Sequence, residues 1–344
     1  MYRTRTDTAV VILSYNGFNW HQQFLPGILA EAPGRYDVVV VDNASIDGTG
    51  EKVRERFPDV HVIRLEVNRG FTNGYIEGLS QIESKYFVLL SADFEVTPGW
   101  FDPLHNLMES DAQIAAVQPK IRYWREKHMF EYAGAAGAFI DTLGYPFCRG
   151  RIFFTLEEDK GQYDEPIETF WASGGCIMLR RDLYQRFGGL DNNFYAHMEE
   201  IDLCWRWKNA GYKVMCEPRS VVYHVGGSVI SYGSPEKVYW NYRNGLILLV
   251  KNLPAGELVW KLPLRLVLDG VAGLYALSQK RAYETKAILK AHRSFWRGFR
   301  RWFRLRRHSR SFVTRPNMKG QYPGSIVWDY FIRGKKYFSD LKPF

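Results

Sequence analysis

The chain has 344 residues, 46% of them hydrophobic, a globular composition with room for one large α/β domain plus an appendage or for two modest domains. Residues 1–235 hold 23 Lys and Arg against 31 Asp and Glu, whereas residues 236–344 hold 23 against 6, so a mildly acidic part precedes a strongly basic one suited to a polyanion or an anionic membrane surface. With no C-x-x-C pair among four cysteines, no apolar core for a signal peptide at Val10–Leu13, and Leu262–Leu277 broken by Arg265 and Asp269, neither a disulfide scaffold, a signal peptide nor a membrane span is expected.

The first hundred residues alternate strand and helix. Short apolar runs predict strands at Ala9–Leu13, Asp37–Val41, Val60–Leu65 and Tyr86–Leu90, with helices at Phe18–Ala30, Gly50–Phe57 and Thr72–Glu83 between them. Such β-α-β units predict a parallel sheet with right-handed crossovers, whose ligands bind at the carboxyl ends of the strands. The residues that follow each strand are Ser14-Tyr15-Asn16-Gly17, Asp42-Asn43-Ala44-Ser45, Asn68-Arg69-Gly70-Phe71 and Ser91-Ala92-Asp93. Each loop is ordinary turn chemistry taken alone, but four polar loops at one edge describe a nucleotide-sized site. Asp93 is the first charge after the apolar run Tyr86–Leu90, with Glu95 two residues on and a helix predicted at Trp100–Met108.

From Gln113 the pattern is irregular. Glu131–Phe139 is rich in small residues, and Trp171–Leu179 predicts a buried strand in which Gly174-Gly175 allow a close backbone approach. A helix is predicted over about Glu199–Ala210, capped by Gly211. Its first turn carries Glu199, Glu200 and Asp202, which suit either the helix dipole or catalysis. Glu199 and Asp202 can share a face and Glu200 cannot join them. His224 follows a predicted strand at Ser220–Tyr223; it is a satisfied structural histidine or, with Asp93, a mixed site suited to Mn2+ or Mg2+.

The motifs "VVILSYNG", "VVVVDNASIDGT", "NRGFTNGYIEGL", "LLSADFEVTPGW", "FWASGGCIMLRRDLY", "GGLDNNFYAHMEEIDLCWRWKNAGY" and "VYHVGGS" occur in that order. Together they resemble glycosyltransferase family 2, most of all its bacterial rhamnosyltransferase-like members, over Thr8 to Lys251. The resemblance implies a GT-A fold, an α/β domain with a mostly parallel Rossmann-like sheet, divided as a nucleotide-sugar half (1–112) and an acceptor half (113–237), with a helical basic extension at 238–344. It implies an inverting, metal-dependent transferase that moves a sugar from a UDP- or dTDP-sugar to a glycan or lipid-linked acceptor of a surface polysaccharide. Ser14, Tyr15, Asn16 and Asp42 would line the nucleotide pocket, and Asn68 and Gly70 would close over it. Asp93 and His224 would hold Mn2+ or Mg2+, Glu200 would be the general base, and Glu199 and Asp202 would support it or touch the acceptor. Two departures stand out: Ser91 where a strict D-x-D places its first acid, and Glu200 where Asp is usual. A non-catalytic domain that binds the donor without turnover fits the same departures.

Lys290–Arg310 holds nine Lys and Arg and no acid, with aromatics at three- and four-residue steps. It reads as one helix lying on an anionic membrane, the alternatives being a core-packing helix or a stacking surface for bases. No nucleic-acid module accompanies it, so no nucleic-acid partner is expected; the family resemblance, with its lipid-linked acceptors, implies a peripheral location on the inner face of a bacterial plasma membrane.

Overall fold

The computed structural model describes residues 1–131, 134–226, 234–342 and 344. Gly227 and Ser228 of the "VYHVGGS" motif, and Tyr132 and Ala133 of the small-residue run, lie outside the described residues. The four parallel strands form as β1 (Thr8–Ser14), β2 (Asp37–Asp42), β3 (His61–Arg64) and β4 (Tyr86–Leu90). They are connected through α1 (Phe18–Ala30), α2 (Thr49–Arg56) and α3 (Gly70–Leu79), the last shorter at its C-terminal end than expected. The sheet is completed by β5 (Phe94–Val96), β6 (Ile114–Tyr123), β7 (Ile167–Thr169), β8 (Cys176–Arg180) and β9 (Lys213–His224). Its order is β7-β9-β6-β8-β4-β1-β2-β3, with β5 paired to β9. β1 to β4 are mutually parallel and β8 runs against β4 and β6.

Both faces of β1 and β2 are covered, which is why their sequences read as unbroken apolar runs. Val11, Val39 and Val41 enter one core, and their neighbours Val10, Val38 and Val40 enter the other. Fully burying each Val contributes roughly 1.5–3 kcal/mol. Register then aligns the strand ends: Ser14 lies opposite Asp42, and Asp42 opposite Arg64.

Three sequence expectations change. Trp171–Gly175 turns before β8 begins, with the Cys176 N–H donating to the Ser173 carbonyl at 3.1 Å. β9 is far longer than Ser220–Tyr223, because a register shift between Glu217 and Val221 absorbs the Pro218 that hides the strand in the sequence. The 290–310 tract is two helices, α9 (Ala282–Arg297) and α10 (Phe299–Ser311), split at Gly298. The Trp302 ring lies over that glycine, where a Cβ would come within 2.3 Å of it. The expected single aromatic face divides accordingly: Phe295 and Trp302 are buried, while Trp296 and Phe303 stay exposed.

The remaining helices are α4 (Phe101–Ser110), α5 (Arg181–Arg186), α6 (Glu199–Asn209), α7 (Pro235–Asn252), α8 (Ala255–Ser278) and α11 (Ile326–Phe331). Leu246–Val250 of α7 are wholly buried in the same core as β1. Gln321–Tyr322 adds a strand beside Ala138–Asp141 in a second sheet. The step in charge near residue 236 therefore does not coincide with a break in packing.

Candidate active site

The loops after β1 and β2 are clasped together. Asn16 takes a left-handed conformation (φ 51), its N–H donates to Ser45 Oγ at 2.9 Å, and its Oδ1 accepts the Ile46 N–H at 3.0 Å. Asp42 is fully buried; Oδ1 accepts the Ser45 N–H at 2.9 Å, while Oδ2 has no hydrogen-bond donor and stands 3.5 Å from Arg64 Nη1. The Ser14 hydroxyl is also buried without a hydrogen bond, and Tyr15 is half exposed. Buried acceptors are normally satisfied, so two at one strand edge mark a place where a ligand's donors fit. Asn68 serves its own loop: its Oδ1 accepts from Gly70 N–H at 2.8 Å and from Asn43 Nδ2 at 3.1 Å. Gly70 has φ +73, and a Cβ there would lie 2.5 Å from the Tyr195 ring.

After β4 the chain delivers Asp93, 3% exposed, to His224 at the end of β9; Oδ2 and Nε2 are 3.2 Å apart. The imidazole stacks on Phe94, centroids 4.3 Å apart, and its Nδ1 is 3.2 Å from Glu131 Oε1. Burial works to strip the proton from His224, but the Glu131 and Asp93 carboxylates outweigh it and raise the pKa to about 10. Sequence reasoning does not single out Glu131; its one signal is a lone acid opening the chargeless stretch Tyr132–Ile140. Glu95, two residues from Asp93, turns outward to Trp124 and Lys127.

The carboxylates of α6 follow two consecutive left-handed residues, His197 (φ 67) and Met198 (φ 73). Backbone strain of this kind costs of order 1–3 kcal/mol per residue and persists only where neighbours enforce it. Here Asn244 of α7 donates from Nδ2 to the carbonyls of Ala196 and His197, at 2.9 and 2.8 Å. The turn leaves Glu199 and Glu200 without donors to their Oε2 atoms. Burial raises both: Glu200 to about 7, and Glu199 well above its usual value, with the Glu200 charge adding to the latter. Asp202 is different. Its carboxylate accepts from Arg206 Nε at 3.0 Å, Lys251 Nζ at 2.7 Å and Asn252 Nδ2 at 2.9 Å, so it fixes α6 against α7.

Gly174 and Gly175 join the two groups. A Cβ on Gly174 would touch the Glu200 side chain at 3.6 Å, and one on Gly175 would strike the Phe94 ring at 2.9 Å. The Ser91 N–H donates to the Gly175 carbonyl at 2.9 Å. One short turn thus lies between the Asp93–His224–Glu131 group and the Glu199–Glu200 pair. Another acid–histidine cluster, Asp7, His105 and Glu109, lies at the opposite, amino end of the sheet.

The Asp93–His224 pair passes a physical test for a divalent cation. One carboxylate oxygen and one imidazole nitrogen face each other, and a second carboxylate stands 3.2 Å from the far ring nitrogen, on the side where acids orient metal-bound histidines.

Parallel strands with polar carboxyl ends, an antiparallel strand beside them and acids gathered on the same edge make up an α/β architecture with a polar candidate site at one edge of its sheet. Solved structures of similar fold include GalNAc-T7 with UDP, GalNAc and Mn2+ (TM-score 0.57, 20% identity, covering 72% of this chain and 48% of that one). Another is the mannosyltransferase PcManGT of Pyrobaculum calidifontis with GDP-Man and Mn2+ (TM-score 0.51, 17% identity, covering 91% and 86%). This chain spans about half of the first structure's length. The fold is GT-A. The family model "Glycosyl transferase family 2" matches residues 9–188, more than half of the chain, and the chain belongs to that family. Among curated relatives, the N-acetylglucosaminyl-diphospho-decaprenol L-rhamnosyltransferase of Mycobacterium tuberculosis is 22% identical over 282 residues, 77% of this chain and 90% of the relative. A low-salt glycan biosynthesis hexosyltransferase of Haloferax volcanii is 21% identical over 246 residues, 69% of this chain and 74% of the relative.

Proposed function

We propose that the protein transfers a sugar from a UDP- or dTDP-sugar to a hydroxyl of a glycan or lipid-linked acceptor in surface polysaccharide synthesis, with inversion at the anomeric carbon. The observation that carries this reading is the pair of carboxylates, Glu199 and Glu200, each with an unpartnered Oε2, across a two-glycine turn from Asp93, His224 and Glu131. Glu200 takes the proton of the acceptor hydroxyl; its raised pKa puts it near the pH at which a base is both ionised and strong enough to act. Glu199 stays protonated beside it and can donate a hydrogen bond to the acceptor or to Glu200. Asp202 positions the helix that carries both. Ser14, Tyr15, Asn16 and Asp42 receive the nucleotide, with the Asn68–Gly70 loop closing over it.

Asp93 and His224 would hold Mn2+ or Mg2+, with Glu131 retaining the Nδ1 proton so that Nε2 is the ligand. When bound, the cation stabilises charge on a departing diphosphate. The Mn2+ in both GT-A neighbours, with UDP in one and GDP-Man in the other, supports a divalent ion and a nucleotide sugar. The name of the mycobacterial relative supports a lipid-linked acceptor, hence work at the cytoplasmic face of a bacterial membrane. The basic 290–310 tract would meet that surface, with no nucleic-acid partner.

Calorimetric titration of UDP and dTDP, with and without Mn2+, tests the donor site. Metal-dependent binding that Asp93→Ala abolishes is the expected result; absence of binding by either nucleotide overturns the reading. Donor hydrolysis present in the parent and lost in Glu200→Gln separates an enzyme from a domain that only binds.

A further inference from the structure

α8 is built inside out. Its charged residues Glu257, Lys261, Arg265 and Asp269 recur every four positions, and the last three are buried. Arg265 Nε pairs with Asp269 Oδ1 at 2.9 Å, its guanidinium stacks on Tyr145 at 3.7 Å, and His292 Nε2 of α9 meets Asp269 Oδ2 at 3.0 Å. These contacts lock the polar face inward, onto α9 and the loop after Ala138–Asp141. The outward face carries no charge at all. Val259, Val267 and Leu274 are 76%, 63% and 69% exposed, and Trp260, Val271 and Tyr275 are also exposed beside them. At 1.5 Å per residue the helix is about 36 Å long, so this is a continuous apolar stripe rather than a scatter of surface hydrophobics.

The borders of the stripe are cationic. Ala255, at its start, lines a cavity of about 630 Å³ with Phe303 and five arginines of α10, among them Arg300, Arg304 and Arg307. Arg306 and Arg310 are held by the carbonyls of Val250, Leu253 and Asn252 at the end of α7, and the other three are exposed. A second copy of the chain would bring another strongly basic surface against this one, like charge on like. A bilayer with anionic headgroups satisfies both features, since apolar side chains enter the acyl boundary while arginines meet phosphates.

We infer that the outer face of α8 is the membrane-inserting surface of the protein, with the arginine-lined cavity beside its first turn receiving anionic lipid headgroups. This refines the proposed membrane association, in which the 290–310 tract is the docking element, but it does not depend on the transferase reading. α8 packs on α7, which carries Asn244 and Lys251, so insertion would set the height of the carboxylate pair above the bilayer.

The test uses the full chain and vesicles of phosphatidylcholine, with or without phosphatidylglycerol. All four native cysteines are buried, so Val271→Cys supplies a single reactive thiol for a polarity-sensitive fluorophore. The expected result is a blue shift on phosphatidylglycerol vesicles only, with binding at least about tenfold weaker in Val267→Glu and Val271→Glu. Because these positions are exposed, circular dichroism and UDP binding should match the parent. Vesicle binding unaffected by the glutamates but lost in Arg304→Ala with Arg307→Ala overturns the inference and keeps the basic-tract reading. No vesicle binding by the parent overturns both. A blue-shifted fluorophore without lipid, in a protein that light scattering shows to be dimeric, overturns it in favour of a second copy.

Discussion

The two ends of the main sheet each carry a histidine between two acids. At the amino end, His105 Nε2 sits 3.0 Å from Asp7 Oδ2, and Glu109 is engaged by Lys85 and Tyr86 at the surface. At the carboxyl end, His224 lies between Asp93 and Glu131, whose carboxylates are 5% and 1% exposed, with the imidazole itself 17% exposed. The residue types are the same and the chemistry is not. Water screens the first cluster, and surface pairs of that kind contribute little. Burial in the second forces its charges to be balanced within the site, and the two carboxylates hold the proton on the imidazole. Composition does not identify a site; position on the sheet and access of water do. The α6 acids extend the contrast within the buried set, where Asp202 is saturated and Glu199 and Glu200 are not.

The sharpest way to break this comparison is at Glu200. Glu200→Gln should lower the turnover rate by about 10²–10⁴-fold while nucleotide affinity, measured by calorimetry, stays unchanged. Asp202→Ala should act on stability instead, costing about 3–5 kcal/mol in urea unfolding because it removes the carboxylate from buried Arg206 and one of the two that Lys251 shares with Asp191. A stable Asp202→Ala protein would mean that the saturated acid is not what docks α6.

Glu131→Gln should weaken Mn2+ affinity by about 10–100-fold, the usual effect of losing an outer-shell partner, whereas Asp7→Ala should leave it untouched. Binding should also tighten as pH rises towards 10, since the cation displaces the Nε2 proton. For metal-free protein the direction reverses. The folded pKa of His224 lies above the unfolded value of about 6.5, so its contribution to stability is complete below that pH and lost as pH climbs through about 10. Unfolding curves of the parent and His224→Gln, compared across pH 6 to 10, should therefore converge at the alkaline end. The smallest effect belongs to the exposed cluster: Glu109→Ala should change stability by no more than about 0.5 kcal/mol.

Much of this architecture is legible in the sequence, for a physical reason. A parallel strand covered on both faces is apolar along nearly its whole length, so β1, β2 and β4 announce themselves, and the polar residues after each mark the candidate edge. Asp93, the first charge after β4, stands out as a candidate on that basis, and Glu200 does so through the ordered motifs. Glu131 does not, because only the pairing of distant segments brings it to His224. The same limit hid α8. Charges at every fourth position reveal that a helix has two faces, but not which one turns towards the protein. At Gly298 the aromatic spacing runs straight through, and the break comes from Trp302 folding back, a contact that spacing does not encode.

Tyr195 carries a consequence of its own. Its carbonyl accepts both the N–H and the hydroxyl of Thr72, its ring presses on Gly70, and its other side stacks on Trp240, 5.1 Å away. Two residues on begins the strained turn that presents Glu199 and Glu200. The 68–72 loop and the turn that carries Glu199 and Glu200 thus meet at one residue, like two doors on a common hinge pin. On the proposed site assignment, a shift of residues 68–72 would press on Tyr195, two residues before the turn at 197–198.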